Sequence, residues 1–300
     1  MLVQSSQRSE LAERIARIVP RDDGSEPRPG LHLYQRSKPG ERVYHLSEPA
    51  FCVVAQGSKH IMLGEHLFRC DPAHYLITTM ELPLSGEVVA ASPTRPYLSV
   101  KLALDPAVVT SVMVESGLVP ANGGGDMLAV AVSPLDASLL DATLRLVRLI
   151  ERPSEQRVLA PLVIREIVYR LLAGAQGHRL RRLVTGDGRA RRMARAVEMI
   201  RENFDKPLRI EAIARRLGMS VSGFHAQFKA ATAMSPLQFQ KQLRLQEARR
   251  LLVSEHVDAA EAGYRVGYDD PSHFSREYKR HFGEPPIRDV ERLNFGGRSS

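Results

Sequence analysis

The chain has 300 residues, of which 43% are hydrophobic and 25% charged, so it is long enough for two domains that each bury a core. Its 42 Lys and Arg residues exceed its 34 Asp and Glu residues, and nearly all of that excess lies in residues 189–300, which favours nucleic acid as a partner. The absence of a leader sequence and of a run of about 18 apolar residues argues against secretion and membrane spanning. We therefore expect a cytoplasmic protein that does not bind membranes.

Short apolar runs separated by turn-forming clusters predict a β domain in the first half of the chain. An amphipathic stretch at residues 11–19 precedes them and is expected to dock as a helix or arm. Closely spaced strands of this kind are typical of a sandwich or a barrel. The predicted strands cover residues 51–55, 60–63, 67–70, 75–78 and 97–104.

Histidines and cysteines in this half suggest a metal-dependent cupin enzyme or a redox switch as alternatives. No His-X-His pair followed by Glu stands at ligand spacing among the histidines, which are His32, His45, His60, His66 and His74. Cys52 and Cys70 lie on separate predicted strands among apolar neighbours, which favours buried thiols. No nucleophile elbow, phosphate-binding glycine loop or metalloprotease motif occurs. We expect no catalytic residue, no metal site and no cofactor.

Helical signals return after the strands. Ser133 and Pro134 predict a cap and a first-turn proline for a helix that continues to Ile150, and a second helix is predicted over residues 155–173. These helices would cover the open side of the sheet and could also pair two subunits. The Gly- and Arg-rich stretch that follows is typical of a linker. The predicted division is therefore a first domain at residues 1–175, a linker at 176–189, a second domain at 190–290 and a tail at 291–300.

The last third of the chain carries one helix-turn-helix pattern twice. Apolar residues recur at positions i, i+3, i+4 and i+7 in residues 210–217 and again in residues 259–266, which predicts two short amphipathic helices. Gly218 and Gly267 follow them and can end a helix in the left-handed conformation. A single copy would be weak evidence for DNA binding, but the duplication is much stronger evidence.

A second helix follows each of these glycines and is expected to begin at Ser220 or Asp270, both good capping residues. Its opposite face is small and polar, and is therefore free to enter a major groove. The residues predicted to be buried are Val221, Phe224 and Phe228 in the first copy, and Phe274, Tyr278 and Phe282 in the second.

A predicted helix over residues 236–253 connects the two copies. About 18 helical residues span roughly 27 Å. With the girth of the flanking units, both second helices could reach successive major grooves, which repeat every 34 Å or so along DNA. One chain would then read two neighbouring grooves.

Eight residues opposite the buried aromatic side chains are the candidate DNA contacts: Ser222, His225, Ala226, Lys229, Ser272, His273, Arg276 and Lys279. Arg276 is the best candidate base reader, because a guanidinium group can bind O6 and N7 of guanine together. The histidines could donate to a base or a phosphate, and the lysines are expected to hold phosphates. Since the first helix presents Gly223 and Ala226, we expect the second to discriminate more strongly between bases.

The same region resembles a known family. Residues 244–252, Arg-Leu-Gln-Glu-Ala-Arg-Arg-Leu-Leu, and residues 266–285, which begin Val-Gly-Tyr-Asp-Asp-Pro-Ser-His-Phe-Ser-Arg, look like the signature of AraC/XylS-type transcriptional regulators. Ala262 and Gly263 are smaller than the residues usual in the family, so the helix that carries them is expected to pack loosely. Four segments of the first half are similar to the regulatory domain of one AraC subgroup: residues 29–34, 48–59, 82–88 and 91–97.

The resemblance implies an α+β transcription factor. Its amino-terminal domain would be a cupin-like β-barrel or sandwich with a helical extension, and its carboxy-terminal domain all-α with two helix-turn-helix motifs. The implied partners are double-stranded DNA, a second copy of the chain, RNA polymerase and an unidentified small-molecule effector, and activation is the commoner outcome in the family. Candidate effector-binding residues are Tyr34, Tyr44, His60 and Tyr97. In the alternative, the amino-terminal domain only dimerises or binds protein.

Overall fold

The computed structural model describes residues 2–118, 127–185 and 188–296. The chain divides into two compact units, one of residues 1–43 and 47–192 and the other of residues 44–46 and 193–300. The described strands all lie in the first half of the chain and most of the helices follow them, and the predicted α+β class is confirmed.

The described strands form two sheets of antiparallel pairs. The six-stranded sheet has the order β1-β2-β9-β4-β7-β10, and the four-stranded sheet the order β3-β8-β5-β6. The strand bounds are β1 Gly24–Arg28, β2 Leu31–Arg36, β3 Val43–Ser47, β4 Ala50–Gln56, β5 Ser58–Leu63, β6 His66–Cys70, β7 His74–Thr78, β8 Leu82–Ala90, β9 Tyr97–Ala103 and β10 Val130–Pro134.

Each of the five predicted strands is present, as β4, β5, β6, β7 and β9. The predicted helix start at Ser133 and Pro134 is wrong, because both residues belong to β10 and pair with Tyr75 and His74 of β7. The helix is capped instead by Asp136, whose carboxylate accepts a hydrogen bond from the backbone N–H of Leu139 at 2.8 Å.

Five helices accompany the sheets: α1 Leu2–Ile18, α2 Pro106–Glu115, α3 Ala137–Arg148, α4 Pro153–Ala173 and α5 Gly177–Thr185. The amphipathic stretch expected at residues 11–19 is the second half of α1, where Leu11 and Ile15 are fully buried. Glu10 fixes this helix to α3 by accepting two hydrogen bonds from Arg148. These bonds, with one from Arg14, lower the pKa of Glu10 to about 2.

The predicted linker at residues 176–189 is largely helical. α5 packs on α2 and α4 and buries Leu180 completely, so this part of the stretch belongs to the packed structure of the first unit. Residues 186 and 187 lie outside the described residues, and the first unit continues to Arg192. The expected tail likewise begins as helix, and its residues 297–300 lie outside the described part.

The rest of the chain is helical. A π-helical turn at residues 251–255 extends α9, so the connector is a continuous rod of about 20 residues and roughly 30 Å. Ser235 and Gln238 form a capping box at its start. The helix bounds are α6 Gly188–Glu202, α7 Ile210–Arg216, α8 Val221–Thr232, α9 Pro236–Arg250, α10 Ala259–Arg265, α11 Pro271–Phe282 and α12 Pro286–Gly296.

Candidate nucleic-acid interface

The first helix-turn-helix is made by α7 and α8. Gly218 joins them with φ +65°, the left-handed conformation that its place after the apolar stripe predicts. The hydroxyl of Ser220 then caps α8 by accepting a hydrogen bond from the backbone N–H of Gly223 at 3.2 Å. The short turn therefore follows from two residues with well-defined local roles.

The second copy, made by α10 and α11, has the same design. Gly267 has φ +88°, and the carboxylate of Asp270 accepts from the backbone N–H groups of Ser272 and His273 at 2.8 and 3.2 Å. The loose packing expected around Gly263 is not observed. A Cβ atom there would lie 3.0 Å from the Phe274 ring, so the missing side chain lets α10 and α11 approach closely.

The aromatic cores of the two second helices correspond. Phe224 and Phe228 of α8, like Phe274 and Tyr278 of α11, are fully buried. Val221, predicted to be buried with them, is instead 39% exposed. It is the first residue of α8, so its side chain shares the face of Phe224 but lies at the end of the helix, beyond the packed core.

The eight candidate DNA contacts lie on the opposite faces of these helices. Seven are exposed and His225 is half-buried. Ala226 and Arg276 occupy equivalent positions, each two residues after a buried phenylalanine, so the two helices present different chemistry at the same point. The two histidines are not equivalent: His225 precedes Ala226, whereas His273 packs with its ring centre 5.6 Å from that of Tyr268.

Two cations of α11, Arg276 and Lys279, are exposed. Neither has an ion pair among the residues that the structure describes, whereas Arg280 donates to Glu277. Glu277 also accepts hydrogen bonds from Lys241 and from the hydroxyl of Tyr268, each at 3.3 Å. This carboxylate therefore neutralises the cations beside it and leaves the Arg276 guanidinium available to an incoming base or phosphate.

Two residues that the sequence analysis missed hold the helices in place. The first is Arg244 of α9, whose guanidinium donates to the backbone carbonyls of Phe204, Lys206 and Gly267 at 2.6, 3.0 and 2.7 Å. It thereby joins the connector helix to the segment after α6 and to the turn of the second helix-turn-helix. Its neighbours on the same face of the helix, Gln240 and Lys241, are polar too, so nothing in the local sequence marks it.

The second is Asp289 of α12, which is completely buried. Its carboxylate accepts hydrogen bonds from Arg249 of α9 at 2.8 and 2.9 Å, from the Tyr278 hydroxyl at 2.8 Å, and from Arg292. Burial and the bond to Asp289 raise the pKa of Tyr278, which stays a neutral donor. The network joins α11 to α9 and α12.

Family comparisons agree with this geometry. Residues 27–179 match the family described as AraC-type transcriptional regulator N-terminus, and residues 213–292 match a helix-turn-helix domain. The first match covers half of the chain. The chain belongs to the AraC family of transcriptional regulators. The resemblance found in the sequence is thereby confirmed for both halves of this AraC-family protein.

The curated proteins similar to the chain include two activators of the same name from different bacteria. One, the HTH-type transcriptional activator RhaS of Salmonella schwarzengrund (strain CVM19633), is 30% identical over 159 residues, covering 52% of this chain and 55% of RhaS. The other, RhaS of Escherichia coli O1:K1 / APEC, is 28% identical over 160 residues, covering 53% and 56%. The AraC-family chain thus spans about half the length of the curated relatives it matches.

Solved structures of ToxT from Vibrio cholerae share the fold. A 1.65 Å structure has a TM-score of 0.58 and 10% sequence identity over 87% of this chain and 97% of ToxT. A structure of ToxT with an unsaturated fatty acid bound has a TM-score of 0.55 and 10% identity over 87% and 94%. At this identity the likeness concerns the fold alone.

The four candidate effector-binding residues of this AraC-family chain do not form one site. Tyr34 of β2 pairs with Ser99 of β9, two residues from Tyr97, so Tyr34 and Tyr97 lie on one face of the six-stranded sheet. His60 pairs with the exposed residues Arg69 and Glu87, on the solvent face of the other sheet. Tyr44 belongs to the second compact unit.

Within the described residues, no group of three or more His, Cys, Asp or Glu side chains is placed to hold a metal ion. His74 bonds to Asp71 in its own turn at 2.7 Å, and His32 lies 3.8 Å from Glu26. Both cysteines are free thiols, and burial raises their pKa values, to about 12 for Cys70. In that same part of the chain, no helix combines the length and the apolar character needed to cross a membrane.

Proposed function

We propose that this AraC-family protein binds DNA sequence-specifically through α8 and α11 and regulates transcription, as an activator in contact with RNA polymerase. The observation that carries the proposal is the doubled helix-turn-helix, since each copy has a buried aromatic core, a left-handed glycine turn and an exposed polar face. The rod-like α9 between them suits two successive major grooves. DNA binding is assigned to residues 190–290, and the protein acts in the cytoplasm in this proposal.

The two helices contribute unequally in this proposal. Arg276 of α11 is exposed and unpaired within the described residues, and is assigned direct contact with a guanine. Ala226 stands at the equivalent position of α8, where a methyl group can contact thymine at most. Lys229 and Lys279 are assigned to phosphates, and Ser222, Ser272 and the two histidines to the rest of the polar contacts.

The protein acts as a homodimer through α4 in this proposal. Val163 and Ile167 of that helix are buried in the core, whereas Val158, Leu162 and Tyr169 form an exposed stripe at positions i, i+4 and i+11. Leu162 also lines a surface cleft of about 700 Å³ whose rim is charged, with Arg14, Arg145, Arg148 and Arg152 among its residues. An apolar stripe bordered by charge is the pattern of a protein interface.

The amino-terminal domain, residues 1–175, senses a small molecule in this proposal. Two observations support it: the AraC-type N-terminal match, and a ligand bound in a structural neighbour, ToxT. Tyr34 and Tyr97 share a sheet face and are kept as lining residues, whereas His60 and Tyr44 lie elsewhere. In the competing hypothesis this unit serves only dimerisation or protein contacts, and no small molecule would then change DNA affinity.

Selection of bound sequences from a random double-stranded DNA pool tests the DNA-binding proposal. We expect the wild-type chain to yield a consensus in which one guanine contact disappears in Arg276→Ala, with a loss of discrimination at that base pair of about 1–3 kcal/mol. The matched control is Lys279→Ala, which should weaken all sequences alike and make the salt dependence shallower by about one charge. A wild-type protein that selects no consensus would exclude the proposed function.

A further inference from the structure

The interior between the two sheets holds a polar cluster centred on Lys59. This residue lies on β5 of the four-stranded sheet, and its Nζ is 5.9 Å from the ring centre of Tyr97, on β9 of the six-stranded sheet. Ser99 follows on the same face of β9, and Cys70 pairs with Lys59 across the four-stranded sheet. Side chains from the two sheets therefore meet at this point.

Two hydroxyl groups in the cluster have no hydrogen-bond partner among the described residues. Tyr97 and Ser99 are only 2% and 3% exposed, and neither the phenolic oxygen nor Oγ of Ser99 is paired. Native proteins rarely leave buried hydroxyls unsatisfied, and each such group calls for a partner. Both lie on the face of β9 that Lys59 of β5 approaches from the other sheet.

The charge of Lys59 also lacks a counter-ion in the part of the chain that the structure describes. The thiols beside Lys59 are neutral, because burial raises the pKa of Cys70 to about 12. By contrast Lys101, also on β9, has its Nζ 3.1 Å from a carboxylate oxygen of Glu48.

We infer that Lys59, Tyr97 and Ser99 bind the carboxylate group of the small-molecule effector. The inference rests on the proposed sensing function and gives its ligand a chemical class. An ammonium ion and two hydroxyls donate charge-assisted hydrogen bonds that a carboxylate accepts with its two oxygens. Val54, opposite Ser99, and Ile61, two residues after Lys59, offer an apolar wall to the rest of the molecule. A neutral effector would leave the charge of half-buried Lys59 without a counter-ion.

Matched acids and amides test the ligand class. The full-length protein is heated with acetate, butanoate, hexanoate, benzoate or phenylacetate, and separately with the primary amide of each, and its affinity for selected DNA is measured under the same conditions. We expect at least one acid to raise Tm and to change the DNA affinity, with no effect of its amide. Equal effects of acid and amide, or no effect of any acid, would overturn the inference.

Lys59→Met tests the site without depending on the panel. Because Met has the same reach and no charge, we expect this variant to raise Tm of the unliganded protein by about 2–4 °C and to weaken any acid response at least tenfold. The control Lys101→Met removes a paired lysine and should keep the acid response. A lower Tm in Lys59→Met would show that Lys59 is structural, which contradicts the inference.

The outcomes separate this inference from the proposed function. Without acid, Lys59→Met should bind selected DNA as the wild type does, because Lys59 is in the first compact unit and the DNA contacts are in the second. A protein that selects no DNA but is stabilised by acids only through Lys59 would refute the DNA-binding function and keep the site. A protein that binds DNA and is indifferent to acids would do the reverse.

Discussion

Gly218 and Gly267 occupy equivalent turns with positive φ, but their surroundings differ. A Cβ atom at Gly218 would meet no described atom within 4 Å, whereas one at Gly267 would overlap the carbonyl oxygen of Asp205 and lie 2.9 Å from Arg244. We expect Gly218→Ala to lower the free energy of unfolding by about 1–2 kcal/mol, the cost of a left-handed alanine. Gly267→Ala should cost clearly more, because backbone must move.

Urea unfolding of the full-length variants, followed by the transition of the DNA-binding unit, measures both costs. Equal losses would mean that the Gly267 turn is not packed against Asp205. The left-handed glycines and their caps follow from local rules, and both were predictable, whereas the crowding at Gly267 depends on residues more than 20 positions away.

At the scale of helices, Asp289 decides where α11 lies. It is fully buried, and its partners Arg249 and Tyr278 come from α9 and α11. Removing one partner of a buried ion pair leaves the others uncompensated, so we expect Asp289→Asn to destabilise the second unit by about 3–5 kcal/mol. DNA selected by the variant should lose sequence preference mainly at the base pairs that α11 contacts.

Glu247→Gln is the matched control for Asp289→Asn. Glu247 pairs with Arg250 on the surface of α9, so its neutralisation should cost at most about 1 kcal/mol and leave the selected consensus unchanged. Calorimetry measures the loss of stability in both variants. A loss in Asp289→Asn as small as in the control would mean that the aromatic core of Phe274 and Tyr278 positions α11 without the buried carboxylate.

Periodicity predicted most helices and five strands, because apolar spacing is a local property of the chain. It could not predict that Pro134 ends a strand, since β10 is defined by its pairing with β7, more than 50 residues earlier. Arg249 and Asp289 are 40 positions apart, and neither is unusual in its local sequence. The polar residues that support α11 can therefore be identified only from the folded structure, which brings them together.

For the whole molecule, dimerisation through α4 would double the number of helices that contact DNA. One chain carries two DNA-contacting helices, α8 and α11, so a dimer presents four. The DNA affinity of the dimer, and the dependence of that affinity on salt, should exceed those of a single chain. Leu162→Glu places a carboxylate in the exposed stripe, where Leu162 is 59% exposed. We expect this variant to be a monomer by light scattering, with an unchanged fold by circular dichroism and a shallower salt dependence of DNA binding.

Val114→Glu is the control for this experiment, because Val114 is an equally apolar and even more exposed residue, at 70%, on α2 of the same unit. The substitution adds the same charge outside the stripe, so Val114→Glu should remain a dimer and bind DNA as the wild type does. Dissociation by both variants would mean that added negative charge separates the chains, wherever it lies. If the Leu162→Glu protein stays dimeric, the dimer interface does not include the exposed stripe of α4, and another surface of the amino-terminal unit must join the two chains.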